Sequence, residues 1–189
     1  FTSMPGLKVV CPATPYDAKG LLIAAIEDPD PVLFLESMRS YRLFKEVVPS
    51  ESYTVEIGKA RYVSEGTDVT LIAWGAMVQV AHKAAMAAQE RGISCEVLDL
   101  RTLYPLDRDT IAASVQKTGR AVIVNDAAAL GGLGNDLVTL FNYTAFLYLG
   151  APIARVTGFD VPVPLFALED HYIPTPERVL ATIQRTVEF

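Results

Sequence analysis

Few residues in this chain have both the type and the spacing to do chemistry. Gly131-Gly132-Leu133-Gly134 lies between an apolar strand and a helix, where glycines let backbone N–H groups approach a phosphate at a helix N-terminus. The full GxGxxG pattern is absent, because Leu137 holds the last position, and the loop from Val124 is too long for the first turn of a dinucleotide fold. Close packing or unusual backbone angles explain the same glycines at least as well. His82 and His171 are the two histidines, and only Glu169-Asp170-His171 brings one near acidic neighbours. That triplet stands in a Pro-rich stretch, where a solvated turn is the better reading than a metal site. No GxSxG elbow occurs, and neither cysteine has the setting of a nucleophile. Asp99 and Arg101 sit at the C-terminal end of a strand, the functional edge of open α/β sheets, but an ion pair fixing the turn into Tyr104-Pro105 explains them. The residues therefore assign no catalytic group, no cofactor-binding group and no metal ligand.

The elements that would position such groups alternate between short β-branched runs and longer helical stretches. This predicts an α/β fold of three layers, α/β/α, around a mostly parallel sheet. Lys8–Cys11 and Val32–Leu35 are strands flanking a helix capped by Thr14, with Pro15 at its first position. Residues 8–35 thus form one βαβ unit, and 36–57 show no period and read as a crossing segment. Strands follow at 59–63, 69–74, 95–100, 121–124 and 153–157. Helices are expected at 77–90, closed by Gly92, and at 108–116, capped by Asp107 and closed by Gly119. Another begins at Asn135 or Asp136, and a final helix follows Thr175-Pro176.

The main anomaly lies on the helix after the glycines. Residues 137–154 carry no charge at all. Asn142, Thr139, Thr144 and the Gly150-Ala151-Pro152 break make the apolar run too short to span a membrane. Leu137, Leu140, Phe141, Thr144, Ala145 and Tyr148 form an inward stripe, leaving Val138, Tyr143, Phe146 and Leu147 to point elsewhere. Such an apolar outer face marks a protein–protein contact, with self-association as the simplest outcome.

Composition narrows the partners. The chain has 189 residues, 16 basic and 22 acidic, and a net charge of −6, which argues against nucleic acid. Half of it is hydrophobic, so it is no disordered segment. Cys11 and Cys95 form no CxxC and are expected as reduced, buried thiols of a cytoplasmic protein. No secretory leader opens the chain, and its start at Phe1-Thr2-Ser3-Met4 is expected of a processed chain or a fragment.

Several motifs together carry a resemblance. Pro5-Gly6-Leu7-Lys8-Val9-Val10, Ala13-Thr14-Pro15-Tyr16-Asp17-Ala18-Lys19-Gly20-Leu21-Leu22 and Asp30-Pro31-Val32-Leu33-Phe34-Leu35-Glu36 are similar to the β subunit of the E1 component of 2-oxo acid dehydrogenases. Tyr53-Thr54, Ile57-Gly58-Lys59-Ala60, Gly75-Ala76-Met77-Val78, Asp99-Leu100-Arg101-Thr102-Leu103 and Arg155-Val156-Thr157-Gly158 continue it over nearly the whole chain.

The resemblance implies a remnant βαβ of a pyrimidine-binding domain at 1–37, a linker at 38–57 and a transketolase C-terminal-type domain at 58–189. It implies that the acidic residue activating thiamine diphosphate precedes this stretch, and that the α subunit holds the diphosphate and Mg²⁺. The chain alone would then bind no cofactor and catalyse nothing, serving subunit association with the E1 α subunit, the E2 component or its own copies. The alternative is one piece of a working thiamine-diphosphate-dependent dehydrogenase whose other half comes from another chain.

Departures from the family pattern are informative. Ala128-Ala129-Leu130 replaces a polar stretch, Gln79 stands where His is common, and Glu36–Tyr41 is altered. Tyr143, Thr144 and Leu147 take places where the family has Glu and Asp. So uniform a conversion of one face leads us to expect an engineered, self-assembling sequence.

Overall fold

The computed structural model describes residues 1–189. Strand β1 (Lys8–Val10) leads into α1 (Pro15–Glu27), where Thr14 Oγ1 accepts the Asp17 N–H and Pro15 opens the helix as expected. Strand β2 (Val32–Phe34) returns parallel to β1, with Lys8 opposite Val32. Residues 36–57 are not a free tether. Apart from a 3₁₀ turn at Met38–Arg42 they run along α1 as a strap. Glu46 Oε2 accepts the Tyr16 N–H at 3.0 Å, Lys19 donates to the Glu51 carbonyl at 2.8 Å, and the Tyr53 ring stacks on Tyr16 at 4.5 Å.

The main sheet is built from β3 (Arg61–Ser64), β4 (Val69–Ala73), β5 (Cys95–Asp99), β7 (Ala121–Val124) and β8 (Ala154–Val156), in the order β3-β5-β4-β7-β8. Four strands are parallel and β3 runs antiparallel along the edge. Every residue of β4, β5 and β7 is buried, as a parallel sheet covered on both faces requires. One face is covered by α2 (Met77–Gln89) and α6 (Pro176–Val187), whose Ala81, Ala84, Val179 and Ile183 meet Leu71 and Val97. The other is covered by α3 (Arg108–Thr118) and α4 (Leu133–Thr144), which bring Ile111, Val115, Leu137 and Phe141 against Ile72 and Ile123. Burying one such side chain contributes about 1.5–3 kcal/mol. This is the expected three-layer α/β/α arrangement.

Four expectations need correction. Strand β6 (Thr102–Tyr104) lies where only a turn into Tyr104-Pro105 is expected; it pairs antiparallel with β1, giving a second sheet ordered β2-β1-β6. Helix α4 begins at Leu133 rather than Asn135 or Asp136, because Gly131 and Gly132 take positive φ and turn the chain into it earlier. Strand β3 starts at Arg61 rather than Lys59 and extends to Ser64. Within the Pro-rich stretch, Glu169–Tyr172 forms a short helix, α5, held by Arg39, which pairs with Glu169 at 3.3 Å and Asp170 at 2.9 Å. No helix is long and apolar enough to cross a membrane.

Candidate association surface

Helix α4 is amphipathic, and beyond Asp136 in its first turn its outer face carries no charge. Leu137, Leu140 and Phe141 are buried against the sheet, as their spacing predicts. Tyr143, Phe146 and Leu147 are 84%, 65% and 92% exposed. Two assignments on this helix change. Val138 is not outward: it is half-buried against the core beneath α4. Tyr148 is not inward: α4 ends at Thr144, Ala145 leaves helical angles at φ −132°, and the 3.6-residue period stops there, so Tyr148 is 58% exposed.

The exposed turn is held firmly. Gln116 Nε2 donates to the Thr144 carbonyl at 2.6 Å, the Gly150 N–H donates to the Gly119 carbonyl at 2.8 Å, and Ala145 is fully buried. Phe146–Tyr148 forms a 3₁₀ turn between these anchors. Beside the same face lies a cavity of about 490 Å³. Its apolar floor includes Leu103, Leu106, Leu133 and Leu140, while Tyr143 and Thr139 stand at its α4 side. Arg108 and Asp136 are the only charged residues lining it.

The glycine loop has a packing explanation. A Cβ on Gly134 would lie 2.9 Å from Arg155 Nη2, so the guanidinium rests directly on that glycine. Arg155 Nη1 donates to the Ala129 carbonyl at 2.9 Å and to Asn135 Oδ1, while Nε and Nη2 are buried without acceptors. His82 lies on α2 and exposed His171 on α5, in separate places. No three His, Cys, Asp or Glu side chains gather where a metal ion could be held. The default ligand crevice of such a sheet, outside the carboxyl ends of β4 and β7 where the strand order reverses, is filled by the chain itself. Ala13 packs with Ala73 and Ala76 there, and Cys11 Sγ lies 2.9 Å from where a Cβ on Gly75 would be. Ala13, Ala73, Ala76 and Cys11 themselves offer no charged group for a diphosphate or its Mg²⁺.

The sequence profile of the transketolase C-terminal domain matches residues 58–179. The chain belongs to that family. The profile of the transketolase pyrimidine-binding domain matches residues 1–43. Over 185 residues this transketolase-family chain is 50% identical to the pyruvate dehydrogenase E1 component subunit beta of Acholeplasma laidlawii and 51% identical to that of Bacillus subtilis. Each match takes in 98% of this chain and 57% of the relative, so the chain spans little more than half the length of the curated relatives it matches. A solved split-gene transketolase, described as an inactive beta4 tetramer, superposes with a TM-score of 0.80 at 26% identity, covering 99% of this chain and 59% of that one. A transketolase mutant of Pichia stipitis shares the fold at a TM-score of 0.62 and 15% identity, over 99% of this chain and 26% of its own.

In this family member the stretches matching the two profiles are joined by a buried charge cluster. Asp17, on α1, and Asp99, at the end of β5, are fully buried. Arg101 Nη2 meets Asp17 Oδ1 at 2.6 Å, and Arg61 Nη2 stands 3.4 Å from Asp17 Oδ2 and 3.5 Å from Asp99 Oδ2. The expected Asp99–Arg101 side-chain pair is therefore replaced. Asp99 Oδ1 instead accepts the Arg101 backbone N–H at 3.0 Å, while the guanidinium crosses to α1. Burial pushes the Asp99 carboxyl up to about 6, against the pull of that N–H and of Arg61. Motif reading missed Asp17 and Arg61 because nothing in their local spacing announces partners so far along the chain.

Proposed function

We propose that the chain is the subunit-association part of an E1 β-type protein and has no catalytic activity of its own. The observation that carries this is the exposed, uncharged face of Tyr143, Phe146 and Leu147 on a firmly anchored turn, since aromatic groups on preorganised backbone dominate contact centres. The partner favoured is a second copy of the chain. A net charge of −6 opposes self-contact over most surfaces, and the α4 face is the stretch free of charge. Another apolar surface, around Leu165 and Phe166, adjoins Asp160 and the Glu169 and Asp170 carboxylates that pair with Arg39, so it is not free of charge. The change from family charges to Tyr143 and Leu147 fits an engineered face. Within a full assembly the E1 α subunit and the E2 component are the further partners.

Sedimentation velocity at micromolar concentration tests this. Wild type should run as a dimer or larger, and Tyr143→Glu with Leu147→Glu should run as a monomer with unchanged circular dichroism. A monomeric wild type rejects the reading.

A second reading is favoured by the 50% identity to pyruvate dehydrogenase E1 β subunits: the chain is one piece of a working thiamine-diphosphate-dependent 2-oxo acid dehydrogenase. The cofactor would supply carbanion stabilisation, and another polypeptide the residues that hold it. Calorimetric titration with thiamine diphosphate and Mg²⁺ separates the two. Heat of binding to this chain alone would overturn the first.

A further inference from the structure

The start of α3, the helix α4 and the turn after β6 enclose the cavity of about 490 Å³, inside the range of about 300–1,000 Å³ that small-molecule sites occupy. Its floor is Leu103, Leu106, Leu133 and Leu140, with Tyr104 and Tyr143 among its walls. Leu103, Leu133 and Leu140 belong to the buried core beneath, so the floor is fixed in place. Arg108 opens α3 on one wall, and Asp136 stands in the first turn of α4 on another.

Both charges are exposed, and neither has a partner within the chain. Ion pairs form at Lys8, Arg39, Arg61, Arg101 and Lys117, and none of them reaches this cavity. The neighbours that could have neutralised Arg108 and Asp136 are engaged elsewhere. Asp107 accepts the Ala60 N–H at 3.1 Å and the Thr110 hydroxyl at 2.9 Å. Arg155 donates to the Ala129 carbonyl at 2.9 Å and to Asn135 Oδ1. One apolar cavity is therefore faced by two unpaired charges of opposite sign.

We propose that this cavity binds a small zwitterion with an apolar body, a free apolar amino acid or a short apolar peptide. Its carboxylate meets the Arg108 fork, its ammonium meets Asp136, and its apolar side chain covers the leucine floor. The charges select this class. An anionic amphiphile would set its single charge near Asp136 in a chain of net charge −6, and a cationic one would meet Arg108. A zwitterion satisfies both groups and brings no net charge. The inference does not rest on self-association: of Tyr143, Phe146 and Leu147, only Tyr143 lines the cavity.

Isothermal titration calorimetry with the dipeptide leucyl-phenylalanine and with L-phenylalanine tests the site. Wild type should bind at least one of them at millimolar concentration, and the tighter of the two names the source. Two analogues of that ligand then remove one charge each. The N-acetyl form lacks the ammonium, the C-terminal amide lacks the carboxylate, and each should bind several-fold more weakly. Arg108 and Asp136 are exposed, so Arg108→Gln and Asp136→Asn should keep the circular dichroism of wild type. Arg108→Gln should weaken the zwitterion several-fold yet leave the amide unchanged. Asp136→Asn should weaken the zwitterion likewise yet leave the N-acetyl form unchanged. A merely structural role could not produce that crossed pattern. No binding to wild type, or binding indifferent to both substitutions, would overturn the inference. Sedimentation of the wild type is a separate measurement, so failure of association and failure of binding are told apart.

Discussion

Arg101 Nη2 lies 2.6 Å from Asp17 Oδ1, and with that contact a turn of the main sheet grips the helix α1. The backbone joins in. Arg101 adopts φ +54°, unusual for a residue with a side chain, and its carbonyl accepts the Cys11 N–H at 2.8 Å. One residue therefore fastens β1 through its backbone and α1 through its guanidinium. The stretches matching the two profiles meet through this residue and through the β1–β6 pairing.

Asp17→Asn should show how much the charge contributes. The variant keeps an oxygen to accept from Thr14 Oγ1, which lies 2.8 Å from Asp17 Oδ2, so the helix cap survives. What disappears is the negative charge between two guanidinium groups. Removing one partner of a buried pair costs about 3–5 kcal/mol. Urea denaturation should show a midpoint well below that of wild type at pH 7 with an unchanged slope. Equal midpoints would mean the cluster contributes nothing net.

Asp99 should give stability a pH dependence of unusual sign. Its carboxyl titrates near 6 when folded and about 3.9 when unfolded, so between these values the folded chain holds the proton more tightly. The contribution is fully present below the unfolded value and is lost as pH rises through about 6. Relative to Asp99→Asn, wild type should therefore lose on the order of 3 kcal/mol between pH 4 and pH 7. A difference that stays flat with pH would refute the buried, proton-holding carboxyl.

These two residues also mark the boundary of what local patterns reveal. Thr14, Asp107 and Thr175 each cap a helix as their position suggests, because a cap is satisfied within three residues. The inward residues Leu137, Leu140 and Phe141 follow from periodicity alone. Periodicity fails at Tyr148, where Ala145 breaks the helix, and at β6, whose three residues become a strand only because Val9 and Val10 lie alongside. The site shows the same split. The neutral face of α4 is visible in the sequence, but the cavity beside it draws on Thr2, the β6 turn and α3 as well as α4, which only the tertiary fold brings together.

Gly66 should tolerate no side chain. A Cβ there would sit 2.2 Å from the Cys95 carbonyl carbon and 2.4 Å from the Glu96 nitrogen, so the obstacle is backbone of a buried strand and not a movable side chain. Gly66→Ala must push the turn before β4 off β5, at a cost of about 3 kcal/mol or more. Gly131→Ala is the useful contrast. Nothing lies within 4 Å of its Cβ, and φ +69° alone penalises it by about 1–2 kcal/mol. Thermal unfolding should rank Gly66→Ala clearly below Gly131→Ala, and the reverse order would contradict the close approach at β5.

The two thiols should be silent in the folded chain. Burial pushes both Cys11 and Cys95 up to about 12, and carboxylates nearby add to the effect: Asp99 and Asp126 at Cys11, Asp68 at Cys95. The thiolate is the nucleophile, so at pH 8 almost none is present at either position. Iodoacetamide should therefore modify neither cysteine in buffer and both in denaturant, with modification in buffer no faster than the chain opens. Cys11 is the stricter case, because its sulfur occupies the space between Gly75 and the ends of β4 and β7. Rapid alkylation of Cys11 alone would show that residues 11–13 lift away from Gly75 while the rest of the chain stays folded.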